Sequence, residues 1–342
     1  MTQMIGKQSI QFDSPVYIIG NASIVGKKEG EGPLGDLFDM IAHDAMFGSE
    51  NWEAAESTLL KETAALVLGK SKIQKEDIRY LFAGDLLSQL IATSFGLIHY
   101  DIPLFGLYGA CSTCGEALSL GAMCIGGGYA KHVLCMASSH FASAEKQFRF
   151  PLSYGNQRPL SSTYTVTGAG AFIVSDDKTD AKAVVSGITT GKIVDFAVKD
   201  SMNMGAAMAP AACDTIMNHL LDFNRSPDYY DKIITGDLGY IGMTLLKELL
   251  DDHGVHADDQ LDDCGKIIFD QKTQGTNSGG SGCGCSAVVL SAYILKKLSE
   301  GEWKHVLFIP TGALLSPTSF NEGNSVPGIA HAVALSAPDS FN

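Results

Sequence analysis

Tyr108-Gly109-Ala110-Cys111-Ser112-Thr113-Cys114-Gly115, with the small apolar run from Glu116 to Gly128 behind it, is the stretch on which the fold turns. An apolar strand, Ile102 to Leu107, leads into a Gly-Ala turn, and apolar side chains then recur at helical spacing. This order predicts a strand, a tight turn and a buried helix with Cys111 at its start. Unpaired N–H groups and the positive end of the helix dipole favour a thiolate at such a place, and they favour a bound carboxylate equally. The residues themselves leave both uses open.

Working outward, the second half of the chain repeats the first. Tyr80-Leu81-Phe82-Ala83-Gly84-Asp85-Leu86 is echoed by Lys232-Ile233-Ile234-Thr235-Gly236-Asp237-Leu238, with Gly236 lying 152 residues after Gly84. Lys131-His132-Val133-Leu134 returns 173 residues later as Lys304-His305-Val306-Leu307. Each half also has a Gly/Cys/Ser turn opening a helix, at Cys111 and at Gly280-Ser281-Gly282-Cys283. A duplicated unit of alternating strands and helices predicts an α/β fold with parallel pairing and helical crossovers, two sheets sandwiching helices. The expected organisation is residues 1–178 and 179–342 as two halves fused into one pseudo-twofold unit. A pocket is expected where the paired helix starts meet, lined by Cys111 and the Ser281 loop.

Between these anchors, Trp52 to Leu68 has helical periodicity behind Asn51, with Gly69 expected to end it. Residues 1–50 read as turn-rich, with Gly26 to Gly35 as an exposed wrapping loop.

The 342 residues, 45% of them hydrophobic, can bury a large core, and the start lacks the basic and apolar regions of an export signal. The eight cysteines lie mostly in apolar or Gly-rich segments, which suits reduced thiols in a cytoplasmic compartment. A net charge of −14 excludes non-specific binding to nucleic acid or anionic lipid. An anion would have to be held by local donors.

On these features the chain resembles the thiolase and ketoacyl synthase superfamily, whose fold is a duplicated βαβαβαββ unit in a layered α-β-α-β-α sandwich. It is more closely similar to the stage V sporulation protein AD family of endospore-forming bacteria. That likeness rests on Glu31-Gly32-Pro33-Leu34-Gly35, Ala83-Gly84-Asp85-Leu86-Leu87, Gly109-Ala110-Cys111-Ser112-Thr113, Ser138-Ser139-His140, Gln147-Phe148-Arg149, Gly279-Gly280-Ser281-Gly282-Cys283 and Thr311-Gly312-Ala313-Leu314-Leu315-Ser316-Pro317. The resemblance implies a non-catalytic thiolase-like protein that binds dipicolinic acid for uptake into developing spores. It implies membrane-embedded partners of the same transport system, and a place in the cytoplasm of the developing spore, peripheral at its inner membrane. Whether calcium accompanies the ligand and whether the chain forms a homodimer stay open.

A working condensing enzyme would use Cys111 as acyl acceptor and would need a base and an oxyanion partner. The superfamily takes these from second-half loops, which here read Gly280-Ser281-Gly282, Thr311-Gly312-Ala313 and Gly236-Asp237-Leu238, without histidine. His140 and His331 are the two histidines placed to substitute. Acyl transfer through Cys111 is therefore the alternative reading. A zinc site from Cys111, Cys114, Cys283 and Cys285 is set aside, because this chain uses cysteine freely as a small core residue. No metal or cofactor is expected.

Dipicolinate is planar and carries two carboxylates, so its site needs amide, hydroxyl or guanidinium donors and a flat apolar wall. The candidates are Asp85, Cys111, Ser112, Ser139, His140, Arg149, Ser281 and Gly282. Arg149 has a competing partner in Glu145, and Asp85 would suit a dianion only through the Cys111 turn or a chelated calcium.

Overall fold

The computed structural model describes residues 3–149, 151–152 and 157–340. In the first half β1 (Ser9–Val25), β2 (Tyr80–Gly84), β3 (Leu104–Gly106), β4 (His132–Ser139) and β5 (Gly168–Ser175) lie in the order β3-β2-β4-β5-β1. In the second half β6 (Ala183–Thr189), β7 (Lys232–Thr235), β8 (Leu261–Asp263), β9 (His305–Ile309) and β10 (Ala332–Ser336) take the same order, β8-β7-β9-β10-β6. In each half the first three strands of this order are parallel and the next two antiparallel. The internal repeat is thus a repeat of topology as well as of sequence.

The halves are not two separate sheets, as the repeat led us to expect. β1 is 17 residues long and pairs with β5 along Tyr17–Val25 and with β6 along Ser9–Gln11 and Val16–Ile18, so the two half-sheets run together into one twelve-stranded sheet. This strand replaces the turn-rich reading over Ser9–Val25, and the stretch read as an exposed loop from Gly26 holds a short helix, Lys27–Gly30, with Glu29 buried. Pro15 and Gly20 hid the strand, and both fall at shifts of pairing register, where a residue without an N–H or without a side chain is tolerated.

Alternation along the strands divides the side chains between layers. Leu81, Ala83, Leu134 and Met136 share an outer core with α1 (Trp52–Ser71) and α2 (Ile91–Leu97). Phe82, Val133, Cys135 and Ala137 face inward onto α3 (Thr113–Gly126) and α7 (Cys283–Val289). From the second half Val306, Phe308, Val333 and Leu335 close the same central core. Ile233, Leu307 and Ile309 face the other way, onto α5 (Met204–Asp222) and α6 (Gly239–Asp252). The result is a layered α-β-α-β-α sandwich. Each buried aliphatic side chain contributes roughly 1.5–3 kcal/mol, so the period-two pattern fixes which helix each strand face must meet.

Local signals set the helix ends. The Asn51 carboxamide accepts a bond of 2.9 Å from the Ala54 amide and starts α1, which runs through Gly69 and stops at Ser71, where Lys72 turns left-handed. α3 begins at Thr113 with Ser112 as its cap, so Cys111 lies in the turn before the helix. Ala110 there has φ of 49°, a conformation that costs a residue with a Cβ on the order of 1 kcal/mol. α4 (Phe141–Phe148) takes in Gln147 and Phe148, and Arg149 is its C-cap.

Candidate functional site at the meeting of the two halves

The turn before α3 and the start of α7 touch directly. The Cys283 thiol donates to the Ala110 carbonyl at 3.0 Å. Gly282, at φ of 103°, donates its amide to the Asp237 carboxylate at 3.1 Å, and the Thr311 hydroxyl donates to the other oxygen at 2.7 Å. Asp237 is fully buried, and burial pushes its carboxyl up to about 7. The same carboxyl acts on the Cys111 thiol.

Cys111 itself is buried in the central core, 6% exposed. Burial holds its thiol well above the ordinary value, and the nearby Asp237 and Cys283 push in the same direction, against the Gly282 amide. Reactive cysteines are made by cations that lower the thiol pKa. Here the charged neighbour is an acid. Proton transfer from this thiol to Asp237 would be uphill, so the pair makes a poor nucleophile and base.

In front of Cys111 lies a narrow pocket walled by Leu86, Tyr108, Phe148, Met204, Ala313 and Leu315. Its polar lining comes from Glu145, Arg149, Thr165 and Ser281. The room inside is about 30 Å³, enough for about two waters. Leu86, Tyr108, Phe148 and Leu315 also border an outer groove of about 320 Å³ that continues to Ser88, Gln147 and Pro317. These four side chains are shared by the two spaces. A groove of about 400 Å³ on the far face, along α5 and α6, is lined by Val194, Phe196, Cys213, Asp214 and Met217; its charged lining group is acidic, and it lies away from both turns.

The structure brings Cys111, Arg149 and Ser281 to the pocket, with Gly282 behind them through its amide. It places the other candidates in structural roles outside the lining. The Ser112 hydroxyl donates to the Gly109 carbonyl at 2.6 Å within the turn. Ser139 donates to the Val166 carbonyl and accepts from the Gly284 amide, pinning α7 to β4. His140 accepts from the Ala142 amide to cap α4, while its other ring nitrogen meets the Ala45 carbonyl at 2.7 Å. Asp85 accepts from the Leu87 and Thr93 amides and the Thr93 hydroxyl, which fixes the turn leading to α2. His331 accepts from the Gly191 amide at 3.2 Å, and its ring is held down to about 4 by burial.

Arg149 pairs with Glu145 one helical turn earlier, and Arg158 pairs with the same carboxylate oxygen from the following loop. Sequence spacing exposes the first pair, four residues apart on one helix. Nothing in the spacing marks Arg158. Asp237 was likewise missed, since in the repeat it stands out only as the counterpart of Asp85. Cys285 spends its thiol on the Gly236 carbonyl, and among the described residues no cluster of three or more His, Cys, Asp or Glu is arranged to hold a metal ion.

A duplicated five-strand unit joined over a central helical layer, with a cysteine-bearing turn where the halves meet, defines a thiolase-like fold. Solved structures agree on the fold: 3-oxoacyl-[acyl-carrier-protein] synthase III from Aquifex aeolicus aligns with a TM-score of 0.57 at 12% identity, covering 94% of this chain and 99% of that one. Human mitochondrial 3-ketoacyl-CoA thiolase in complex with CoA aligns with a TM-score of 0.55 at 12% identity, over 94% and 98%. Within that class the chain belongs to the stage V sporulation protein AD (SpoVAD) family, whose model matches residues 6–336. It is 41% identical over 333 residues to stage V sporulation protein AD of Bacillus subtilis (strain 168), covering 97% of this chain and 98% of the relative.

Proposed function

We propose that this sporulation protein is a non-catalytic binder of dipicolinic acid, serving its movement into the developing spore together with membrane-embedded partners. The observation that carries the reading is Arg149 on the wall of a mostly apolar pocket, which it shares with a Cys111 that has an acid for a neighbour and, among the described residues, no cation to activate it. A planar aromatic carboxylate suits apolar walls with one guanidinium between them. The backbone amides expected to hold the anion are largely spent inside the protein, Gly282 on Asp237 and Gly284 on Ser139. The ligand is therefore assigned to side-chain donors. The inner space is too small for a pyridine ring, so entry requires Phe148 or Leu315 to withdraw toward the outer groove. Among the described residues no helix is long and apolar enough to cross a membrane. Membrane-embedded partners are part of the proposal.

Equilibrium dialysis against dipicolinate tests this. Retention of one ligand per chain supports the reading, and no retention at millimolar ligand rejects it. Acyl transfer is the second reading, favoured by the placement of Cys111 in the turn at the pseudo-twofold axis.

A further inference from the structure

Glu145, Arg149 and Arg158 carry one negative and two positive charges. Both guanidiniums converge on Oε1 of Glu145, with side chains only 9%, 10% and 15% exposed respectively. The group is thus left with one positive charge. Among the described residues neither arginine has a second acidic partner at ion-pair distance. The charges that act on Arg149 are Glu145 and Arg158. A largely buried surplus charge is costly unless something neutralises it, and in a chain of net charge −14 the surplus is local.

Arg158 is also held in place. Its guanidinium lies over the rings of Phe141 and Tyr164, 5.2 and 5.7 Å from their centroids, and donates to the Thr163 carbonyl at 3.2 Å. Thr163 in turn donates to the Ser281 hydroxyl at 2.9 Å, which ties this arginine to the pocket lining. A guanidinium has five N–H donors in a rigid fork. Among the described residues, most of those on Arg149 and Arg158 have no protein acceptor. Asp237, behind Cys111 and Ser281, makes that end of the pocket the acidic one: its buried carboxyl accepts from the Gly282 amide.

We propose that Arg149, Glu145 and Arg158 form a single-charge carboxylate receptor, which makes Arg158 a specificity-determining residue of this pocket. The inference rests on the proposed binding function and deepens it. One carboxylate of an aromatic ligand completes the charge balance at the receptor. A second carboxylate, pointed at the acidic end, is accepted only when a proton or a chelated cation neutralises it. The ligand class is an aromatic carboxylate presenting one net negative charge.

Calorimetric titration of the full chain with dipicolinate and with pyridine-2-carboxylate decides the matter, using wild type, Arg158→Gln and Glu145→Gln. Arg158→Gln removes the surplus charge and is expected to weaken both ligands at least tenfold. Glu145→Gln raises the surplus to two charges and is expected to favour dipicolinate over pyridine-2-carboxylate by at least threefold relative to wild type. Arg158→Gln binding like wild type, or Glu145→Gln leaving the ligand ratio unchanged, overturns the receptor. If Arg158→Gln loses its fold by circular dichroism, the ratio in Glu145→Gln decides alone. Wild type that binds neither ligand rejects the proposed function and this inference with it, whereas wild type that binds dipicolinate with unaltered variants rejects this inference only.

Discussion

The Cys283 thiol donates its hydrogen bond to the carbonyl of Ala110, so the first residue of α7 is fastened to the turn that opens α3. The two halves of the repeat meet through this contact, and the space it leaves beside Cys111 is small. Much of what a helix start offers an anion is already used there. Gly282 is satisfied by Asp237, Gly284 by Ser139, and the Ser112 and Thr113 amides by the carbonyls of Gly109 and Ala110.

Cys111 is therefore expected to be inert. Cys111→Ala should leave dipicolinate affinity within about tenfold of wild type, because a buried thiol contributes packing and little polar attraction. Incubation with an acyl-thioester followed by intact-mass measurement should show no adduct. Stoichiometric acylation of Cys111 would favour the acyl-transfer reading.

Two serines separate a pocket residue from a turn residue. Ser281 lines the pocket but is itself buried beside a space of only about 30 Å³, so Ser281→Trp should abolish binding, and it can stay folded only with Phe148 or Leu315 withdrawn toward the outer groove. Ser112 is fully buried within its turn, so Ser112→Trp has no space to enter and should lower the melting temperature sharply or prevent folding. Binding and melting curves on the two variants check this; normal binding by Ser281→Trp would move the site elsewhere.

Stability should fall as pH rises. Burial holds Asp237 and Glu29 up to about 7, Glu56 to about 8 and Asp263 to about 6. Between the ordinary carboxylate value and these raised values the folded state binds more protons than the unfolded state. The stabilisation is complete below about pH 4 and is lost as pH climbs through 6 to 8, at up to about 1.4 kcal/mol per pH unit for each such group. Melting scans at pH 5.5 and 8.5 should show a lower midpoint at the higher pH. Asp237→Asn, which cannot ionise, should narrow the gap; an unchanged gap would mean that Asp237 is not a proton-binding group in this range.

Salt should matter little. An ion pair made in a partly buried pocket is poorly screened, so raising sodium chloride from about 20 to about 150 mM should weaken dipicolinate by less than about threefold. A steep salt dependence would indicate a surface site.

The sequence made the layered architecture legible because the repeat carried it. Gly84-Asp85-Leu86 and Gly236-Asp237-Leu238 mark equivalent strand ends, and the inward and outward faces follow from simple alternation. β1 was not legible, since its pairing with two neighbours bends it at Pro15 and Gly20, residues that elsewhere mark turns. Of the candidate site, Cys111, Arg149 and Ser281 were found, because they sit at or near the ends of periodic elements that converge. The repeat also concealed a difference. Asp85 and Asp237 occupy matching turns, yet Asp85 is absorbed by the Leu87 and Thr93 amides while Asp237 faces Cys111. Which way a buried carboxylate turns depends on donors from distant loops, here Thr311 and Gly282, and no local pattern records them.

Calorimetric titration of dipicolinate into wild type and Arg149→Gln, with and without calcium, tests the binding claim most directly. The account predicts one ligand per wild-type chain and a loss of at least tenfold in affinity for Arg149→Gln, with the variant's melting temperature close to that of wild type. A wild-type chain that takes up no dipicolinate under either condition, or an Arg149→Gln chain that binds it as wild type does, would contradict the account.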